Sequence, residues 1–281
     1  MRANPKDVWS GPKYRRAQGA QNDWPSLFFE KVNVAPAYSI LQVSFGGRDL
    51  TARLAELAPD GHVLAVDFGE APFREAMADK RFPARGNVTF LTGDPCALPS
   101  QLPGAPFDVV MSHMAAERCP NMTRLFHRLI RLARQDGQVY MEMAGEGDCQ
   151  ALRDVMDNMA SGPFAGHFMA FRYPYRPLSR NEALEIVTEA GYGRPAVEMR
   201  KETVRINSGY FPIWLAANAG APYIQNLPQS QHSPFIDSVV KNYPPGADGC
   251  FAVERVILSV HGHRYWGSLE GDLMGGPVGM D

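Results

Sequence analysis

The sequence lacks any apolar run near the ~18 residues that a membrane-spanning helix requires. The segment before residue 24 also lacks the apolar stretch of a signal peptide, so we expect no secretory leader. The sequence also lacks a large excess of either charge, because 28 basic and 30 acidic residues give a net charge of −2. This balance disfavours a nucleic-acid partner, which requires clustered Lys and Arg. We therefore expect a cytoplasmic protein without a membrane or nucleic-acid partner.

Cysteine is scarce, and the four cysteines are widely separated: Cys96, Cys119, Cys149 and Cys250. They form no CxxC pair and have no neighbouring histidine at zinc spacing. We expect free, partly buried thiols in a reducing compartment. His261 and His263 flank one glycine but lack nearby ligand residues, so no metal site is predicted.

Short apolar runs alternate with amphipathic segments in the first half of the chain. The runs predict buried strands at 39–43, 62–67, 88–91, 107–111 and 139–143. After the first run, Asp49 is placed to cap a helix, and between the last two runs Leu125, Phe126 and Leu129 recur at helical spacing. Strands that alternate with helices of about 10 to 15 residues predict an α/β fold with a parallel sheet wound by helices on both faces.

This rhythm ends near residue 148, and Ser179 with Glu182 then predicts a capped helix start. The final strand is predicted around residues 254–260. We divide the chain into a helical or irregular segment 1–37, a cofactor-binding α/β core 38–148, cap insertions 149–250 interleaved with a core helix and strand, a final core strand 251–266 and a mobile tail 267–281.

The predicted strand ends carry residues that suit a nucleoside ligand. Gly46 and Gly47 follow the first strand, Asp67 ends the second and Asp94 ends the third. Ligands of open α/β sheets bind beyond these carboxyl ends. A glycine turn lets backbone approach a ligand, and a carboxylate accepts both hydroxyls of a ribose. Each Asp alone is more often a turn former or a helix cap, so only the ordered series predicts a site.

A resemblance to the class I S-adenosylmethionine-dependent methyltransferases covers residues 38–145. It is carried, in the family's order, by ILQVSFGGRDLTARLAELAPDGHVLAVDFGE, NVTFLTGDPCALP, PFDVVMSHMAAE and LFHRLIRLARQDGQVYMEMAG. More loosely, YRPLSRNEALEIVTEAGY and FPIWLAANAGAPYIQNLP resemble the trans-aconitate methyltransferase-type subgroup. The resemblance implies a Rossmann-like, doubly wound, seven-stranded sheet with its last strand antiparallel. It also implies a small, mostly helical cap formed by insertions.

The resemblance further implies S-adenosyl-L-methionine as the cofactor. The implied cofactor-binding residues are Ser44, Gly46, Gly47, Asp67, Phe68, Asp94, Pro95 and Ser112. The family's first loop reads Asp/Glu-x-Gly-x-Gly-x-Gly. In this chain Gln42 stands for the acidic residue, and Ser44 and Arg48 stand for the first and third glycines. Ser44 therefore places a Cβ where a positive φ is expected.

Residues for the chemical step are expected after the fourth strand and in the cap. His113 and Glu117 are candidates for an acid or base, although a buried structural histidine is an equal alternative. Arg172 and Arg176 suit a carboxylate acceptor, because a guanidinium binds a carboxylate through two hydrogen bonds. A solvated loop is the alternative for this cluster. Tyr210 and Trp214 are expected to line the same pocket.

Two functions remain open from the sequence. The first is methyl transfer to a small organic acceptor, such as a carboxylate, which needs no base. In the second, the fold is kept without methylation, either for a cyclisation or for a silent binding or regulatory role, because fold alone does not fix function.

Overall fold

A seven-stranded sheet forms the centre of the molecule. The computed structural model describes residues 31–44, 48–67, 69–82, 86–99, 101–114, 116, 119 and 121–265. The strands are β1 Ser39–Val43, β2 His62–Asp67, β3 Val88–Thr92, β4 Phe107–His113, β5 Ala133–Ala144, β6 Tyr192–Asn207 and β7 Cys250–Arg264. The early strands form where apolar and β-branched residues concentrate, since such side chains fit a buried sheet.

The strand order is β3-β2-β1-β4-β5-β7-β6. β1 to β5 pair in parallel, whereas β7 runs antiparallel to both β5 and β6. The predicted seven-stranded sheet with an antiparallel last strand is therefore confirmed. The carboxyl ends of β1 to β5 share one edge, and the predicted residues Ser44, Asp67, Asp94, Ser112 and His113 lie at or next to that edge.

Helices connect the strands and cover both faces of the sheet. They are α1 Arg48–Leu57, α2 Glu70–Met77, α3 Met122–Leu132, α4 Gln150–Ser161, α5 Ala165–Phe168, α6 Arg180–Glu189, α7 Phe211–Ala217, α8 Ala221–Asn226 and α9 His232–Asn242. On one face Leu54 of α1 packs with Ile40, and on the other Leu129 of α3 packs with Leu41. Ile40 and Leu41 are neighbours in one strand and so point to opposite faces. The doubly wound architecture is confirmed.

A second apolar core belongs to the cap helices α4, α5, α7, α8 and α9. Phe211 stacks on Phe251 with ring centroids 3.8 Å apart, and Trp214 and Phe235 are fully buried in the same cluster. Burying each such ring contributes about 2 to 3 kcal/mol. The cap is therefore held by its own core and attached to the sheet through the ends of β6 and β7. In the described parts of the chain, no helix has the length and hydropathy needed to cross a bilayer.

Three elements differ from the sequence-based expectation. β5 begins at Ala133 rather than near Val139, because Ala133 pairs with Phe107 before a register shift. α1 begins at Arg48, so Asp49 lies in its first turn and pairs with Arg81 at 2.6 Å instead of capping the helix. β6, whose residues the apolar pattern did not locate, is a 16-residue strand with alternating exposure.

Candidate functional site

The turn after β1 has the left-handed backbone expected there. Ser44 has a φ of 69°, which costs a residue with a Cβ about 1 kcal/mol. Its backbone N–H donates to the Val66 carbonyl at 2.6 Å, and its hydroxyl donates to Asp67 Oδ2 at 3.3 Å. These two bonds join the end of β1 to the end of β2 and hold Ser44 in its strained conformation.

Gln42, two residues earlier in β1, also supports this turn. It is fully buried, and its Nε2 donates to the Ser44 carbonyl at 3.1 Å. Its Oε1 has no hydrogen-bond partner among the described residues. A neutral amide thus lies next to the turn and leaves a buried acceptor atom there. Gly46, Gly47 and Phe68, three predicted cofactor contacts, lie outside the described residues.

The buried carboxylate of Asp67 lies at the carboxyl end of β2. Asp67 is 5% exposed and pairs in register with Thr92, the last residue of β3. The Asp67 carbonyl accepts the Gly93 N–H at 2.9 Å, and the Asp94 carbonyl accepts the Ala97 N–H at 2.8 Å. The structure therefore places Asp67 and Asp94 on adjacent strand ends. Asp94 is exposed there, next to a 3₁₀ turn over Pro95–Ala97.

Two further predicted residues end β4. Ser112 is fully buried in the middle of the sheet, paired with Val43 and Met141. Its hydroxyl has no hydrogen-bond partner among the described residues. His113 follows it on the opposite face, with a side chain 18% exposed. Glu117, the other predicted acid or base, lies outside the described residues.

His113 faces a carboxylate that sequence reasoning missed. Its Nε2 lies 3.6 Å from Oε2 of Glu142, which is 1% exposed. Burial is the largest influence and lowers the pKa of His113 from its ordinary value, Glu142 opposes this shift, and Arg200 and Arg255 add to it. The imidazole is therefore neutral near pH 7, which suits a proton acceptor.

The other oxygen of Glu142 is held by neighbouring strands. Oε1 accepts from Arg200 Nη1 at 2.7 Å and from the Ser259 hydroxyl at 3.1 Å. The signal in the sequence was one Glu inside the apolar run VYMEMA of β5. Such a residue is rarely buried unless it is paired, and its partners come from β6 and β7.

The predicted cap residues have different surroundings. Arg172 is exposed and donates to the Phe171 carbonyl at 2.9 Å, and Arg176 forms an ion pair with Glu182. Tyr210 is 51% exposed immediately before α7. Trp214 is fully buried and stacks on a ring of its own helix, so it lies in the cap core rather than on an open wall.

His261 and His263, the histidine pair near the end of β7, have ring centroids 5.2 Å apart. Within the described ranges, no group of three or more His, Cys, Asp or Glu residues could hold a metal ion.

Part of the chain matches a known family model. Residues 40–137 match the family model described as "Methyltransferase domain". This region contains β1 to β4 and the edge with Ser44, Asp67 and His113. The match covers 98 of the 281 residues, so this similarity to methyltransferases concerns that part of the chain.

The curated relatives share limited sequence identity with this chain. A demethylmenaquinone methyltransferase from Lactobacillus johnsonii is 28% identical over 125 residues, 43% of this chain and 50% of that protein. The chain spans about half or less of the length of the curated relatives it matches.

Two solved structures share the fold. The YcgJ protein of Bacillus subtilis has a TM-score of 0.59 at 13% identity, covering 86% of this chain and 98% of that one. Phosphoethanolamine N-methyltransferase 2 of Haemonchus contortus, solved with S-adenosyl-L-methionine, has a TM-score of 0.53 at 14% identity, covering 94% and 60%. At these identities the likeness concerns the Rossmann-like methyltransferase fold alone.

Proposed function

We propose that the protein transfers a methyl group from S-adenosyl-L-methionine to a small organic acceptor. The observation that carries the proposal is the buried Asp67 carboxylate at the end of β2, beside the left-handed turn after β1. Asp67 Oδ2 already accepts a hydroxyl hydrogen from Ser44. The same carboxylate chemistry suits the hydroxyls of a ribose, so the residues present fit the nucleoside end of the cofactor.

In this proposal each strand end binds one part of the cofactor. Asp67 and Phe68 hold the ribose, and Asp94 and Pro95 contact the adenine. The remaining contacts, assigned to the methionine portion and the face of the sheet, are Ser44, Gly46, Gly47 and Ser112. The bound cofactor supplies an electrophilic methyl carbon on a sulfonium. The chain's own contribution is to orient the acceptor and exclude water.

For the acceptor we propose a small organic molecule, and a carboxylate is one class. The trans-aconitate-type resemblance supports this class, as do Arg172 and Arg176 if the Arg176–Glu182 pair opens. The name of the Lactobacillus johnsonii relative suggests a different acceptor, demethylmenaquinone. Assays should therefore compare organic acids with hydroxylated aromatic compounds. Arg176→Ala should raise the KM for an acid acceptor and leave that for a phenol unchanged.

Asp67→Ala tests the cofactor site. The variant loses hydrogen bonds to a charged group, so we expect S-adenosylhomocysteine to bind at least about 10-fold more weakly. The rise in melting temperature on adding S-adenosylhomocysteine measures this loss. Asp237→Ala, which removes an exposed carboxylate on α9, is the matched control and should keep the wild-type shift. An equal shift in wild type and Asp67→Ala contradicts the assignment of Asp67 to the ribose.

A second candidate keeps the fold without methylation. The observation that favours it is the turn itself, where Ser44 carries a side chain at positive φ and its hydroxyl bonds to Asp67. The protein then uses the cofactor for another reaction, such as a cyclisation, or acts as a silent regulatory partner. Cofactor binding without methyl transfer to any acidic or phenolic acceptor supports this candidate over the first.

We also propose that the protein works in small-molecule metabolism in the cytoplasm, without a nucleic-acid or membrane partner. The net charge of −2 and the wide separation of the cysteines, which form no CxxC pair, support this proposal. Cell fractionation with a tagged full chain tests the location. Recovery with membranes or with nucleic acid contradicts it.

A further inference from the structure

A row of polar side chains crosses the sheet on the face of His113. Register pairs His113 with Glu142 across β4 and β5, and Glu142 with Ser259 across β5 and β7. Residues paired in register point to the same face of a sheet. The carboxylate of Glu142 is therefore flanked by an imidazole on one side and by a hydroxyl on the other.

The two oxygens of Glu142 have different surroundings. Oε1 accepts from Arg200 and Ser259. Oε2 is buried, has no hydrogen-bond partner among the described residues, and lies 3.6 Å from His113 Nε2. This distance is slightly longer than a hydrogen bond. Arg200 offsets the cost of burying the carboxylate and fixes its orientation, which leaves Oε2 for the imidazole.

We propose that Glu142 is a positioning residue for His113, and that the methyl acceptor is a compound with a hydroxyl proton to lose. Glu142 Oε2 holds the proton of His113 on Nε2, so Nδ1 is the basic nitrogen. This inference rests on the proposed function for the acceptor. A carboxylate acceptor is already ionised and would need no such base.

With a hydroxyl acceptor, the reaction conserves every atom and every electron pair. The O–H bond of the acceptor breaks and its proton moves to His113 Nδ1. The oxygen forms a bond to the methyl carbon, and the methyl–sulfur bond breaks with its electron pair on sulfur. The positive charge of the sulfonium is replaced by that of the imidazolium, which Glu142 stabilises at close range.

The charged groups around His113 define how the step depends on pH. Among the described residues, the groups around it include Tyr140 and Glu142 from β5, Arg200 from β6, and Arg255 and Ser259 from β7. Glu142 favours the imidazolium, while burial and the two arginines favour the neutral ring. We expect the rate with a hydroxyl acceptor to fall as pH drops through the lowered pKa of His113 and to be constant above it.

NMR titration of His113 tests the positioning role directly and needs neither cofactor nor acceptor. In Glu142→Gln the pKa of His113 should fall, because the negative charge that raises it is lost. Glu202→Gln is the matched control, since Glu202 also pairs with Arg200, at 3.5 Å, and does not contribute to the lowered pKa of His113. An unchanged titration in Glu142→Gln, or an equal fall in Glu202→Gln, overturns the proposal.

The wild-type protein gives a second measurement that does not depend on the folding of a variant. The nitrogen chemical shifts of neutral His113 should show the proton on Nε2, and a proton on Nδ1 overturns the proposal. The acceptor class is tested separately by the midpoint of the pH–rate profile with a phenol, which should move with the pKa of His113 in Glu142→Gln. Failure of cofactor binding contradicts the proposed function and leaves the titration result standing, so the two failures are distinguishable.

Discussion

At the scale of single residues, the sequence best predicted which site residues lie at the ends of strands. Asp67 and His113 were predicted site residues because each ends an apolar run, and both lie at the carboxyl edge. Glu142 and Arg200 were missed because their pairing joins β5 to β6, 58 positions apart in the chain. No local pattern encodes such a contact, although an acidic residue in a buried strand was a usable signal.

Ser44 offers a residue-scale test of the turn after β1. At its φ of 69°, glycine pays no Cβ penalty, whereas alanine keeps the penalty and loses the hydroxyl. We expect Ser44→Gly to be more stable than Ser44→Ala by about 1 kcal/mol. Chemical denaturation of both variants measures the difference. Equal stabilities contradict a left-handed Ser44.

At the scale of elements, helices with a clear apolar face were predicted well. The stripe of α3 is buried as expected, and α6 begins with the predicted capping box. β6 was not located because it lies at the sheet edge and alternates polar with apolar residues, which dilutes the apolar signal. The early part of β5 was missed because its residues are mostly polar and gain their strand structure from pairing with β4.

The start of α6 provides a test at this scale. The Ser179 hydroxyl accepts from the Glu182 N–H at 3.3 Å, and Glu182 Oε2 accepts from the Ser179 N–H at 2.9 Å. Ser179→Ala should lower the free energy of unfolding by about 1 kcal/mol. Ser161→Ala, at the exposed end of α4, is a matched control expected to change it by less than about 0.5 kcal/mol. Similar losses in both variants would argue against the capping box.

At the scale of the whole molecule, the architecture followed from the alternation of strands and helices. The doubly wound sheet agrees with this expectation, and its seven strands with an antiparallel last strand agree with what the methyltransferase resemblance implied. The arrangement of the cap did not follow, because its packing depends on aromatic contacts among distant segments, such as Phe168 with Tyr223. Predicted pocket residues such as Trp214 therefore became core residues.

Stability of the whole molecule should decrease in mild acid. Burial lowers the pKa of His62, His113 and His261 from the ordinary value of 6.5. The unfolded chain therefore binds these protons more readily, so the stabilisation is complete above pH 6.5 and is lost as pH falls through the lowered values.

Denaturant unfolding at a series of pH values checks this dependence. Each substitution of one of these histidines by Gln should flatten the slope below pH 6.5. A free energy of unfolding that stays constant or rises as the pH falls from that value contradicts the expectation.

The central claim is that the edge with Ser44 and Asp67 binds S-adenosyl-L-methionine despite the changed loop residues. Calorimetric titration of the wild-type protein with S-adenosyl-L-methionine measures this most directly. We predict saturable binding of one cofactor per chain with a dissociation constant in the micromolar range. The absence of binding at millimolar cofactor would contradict the claim.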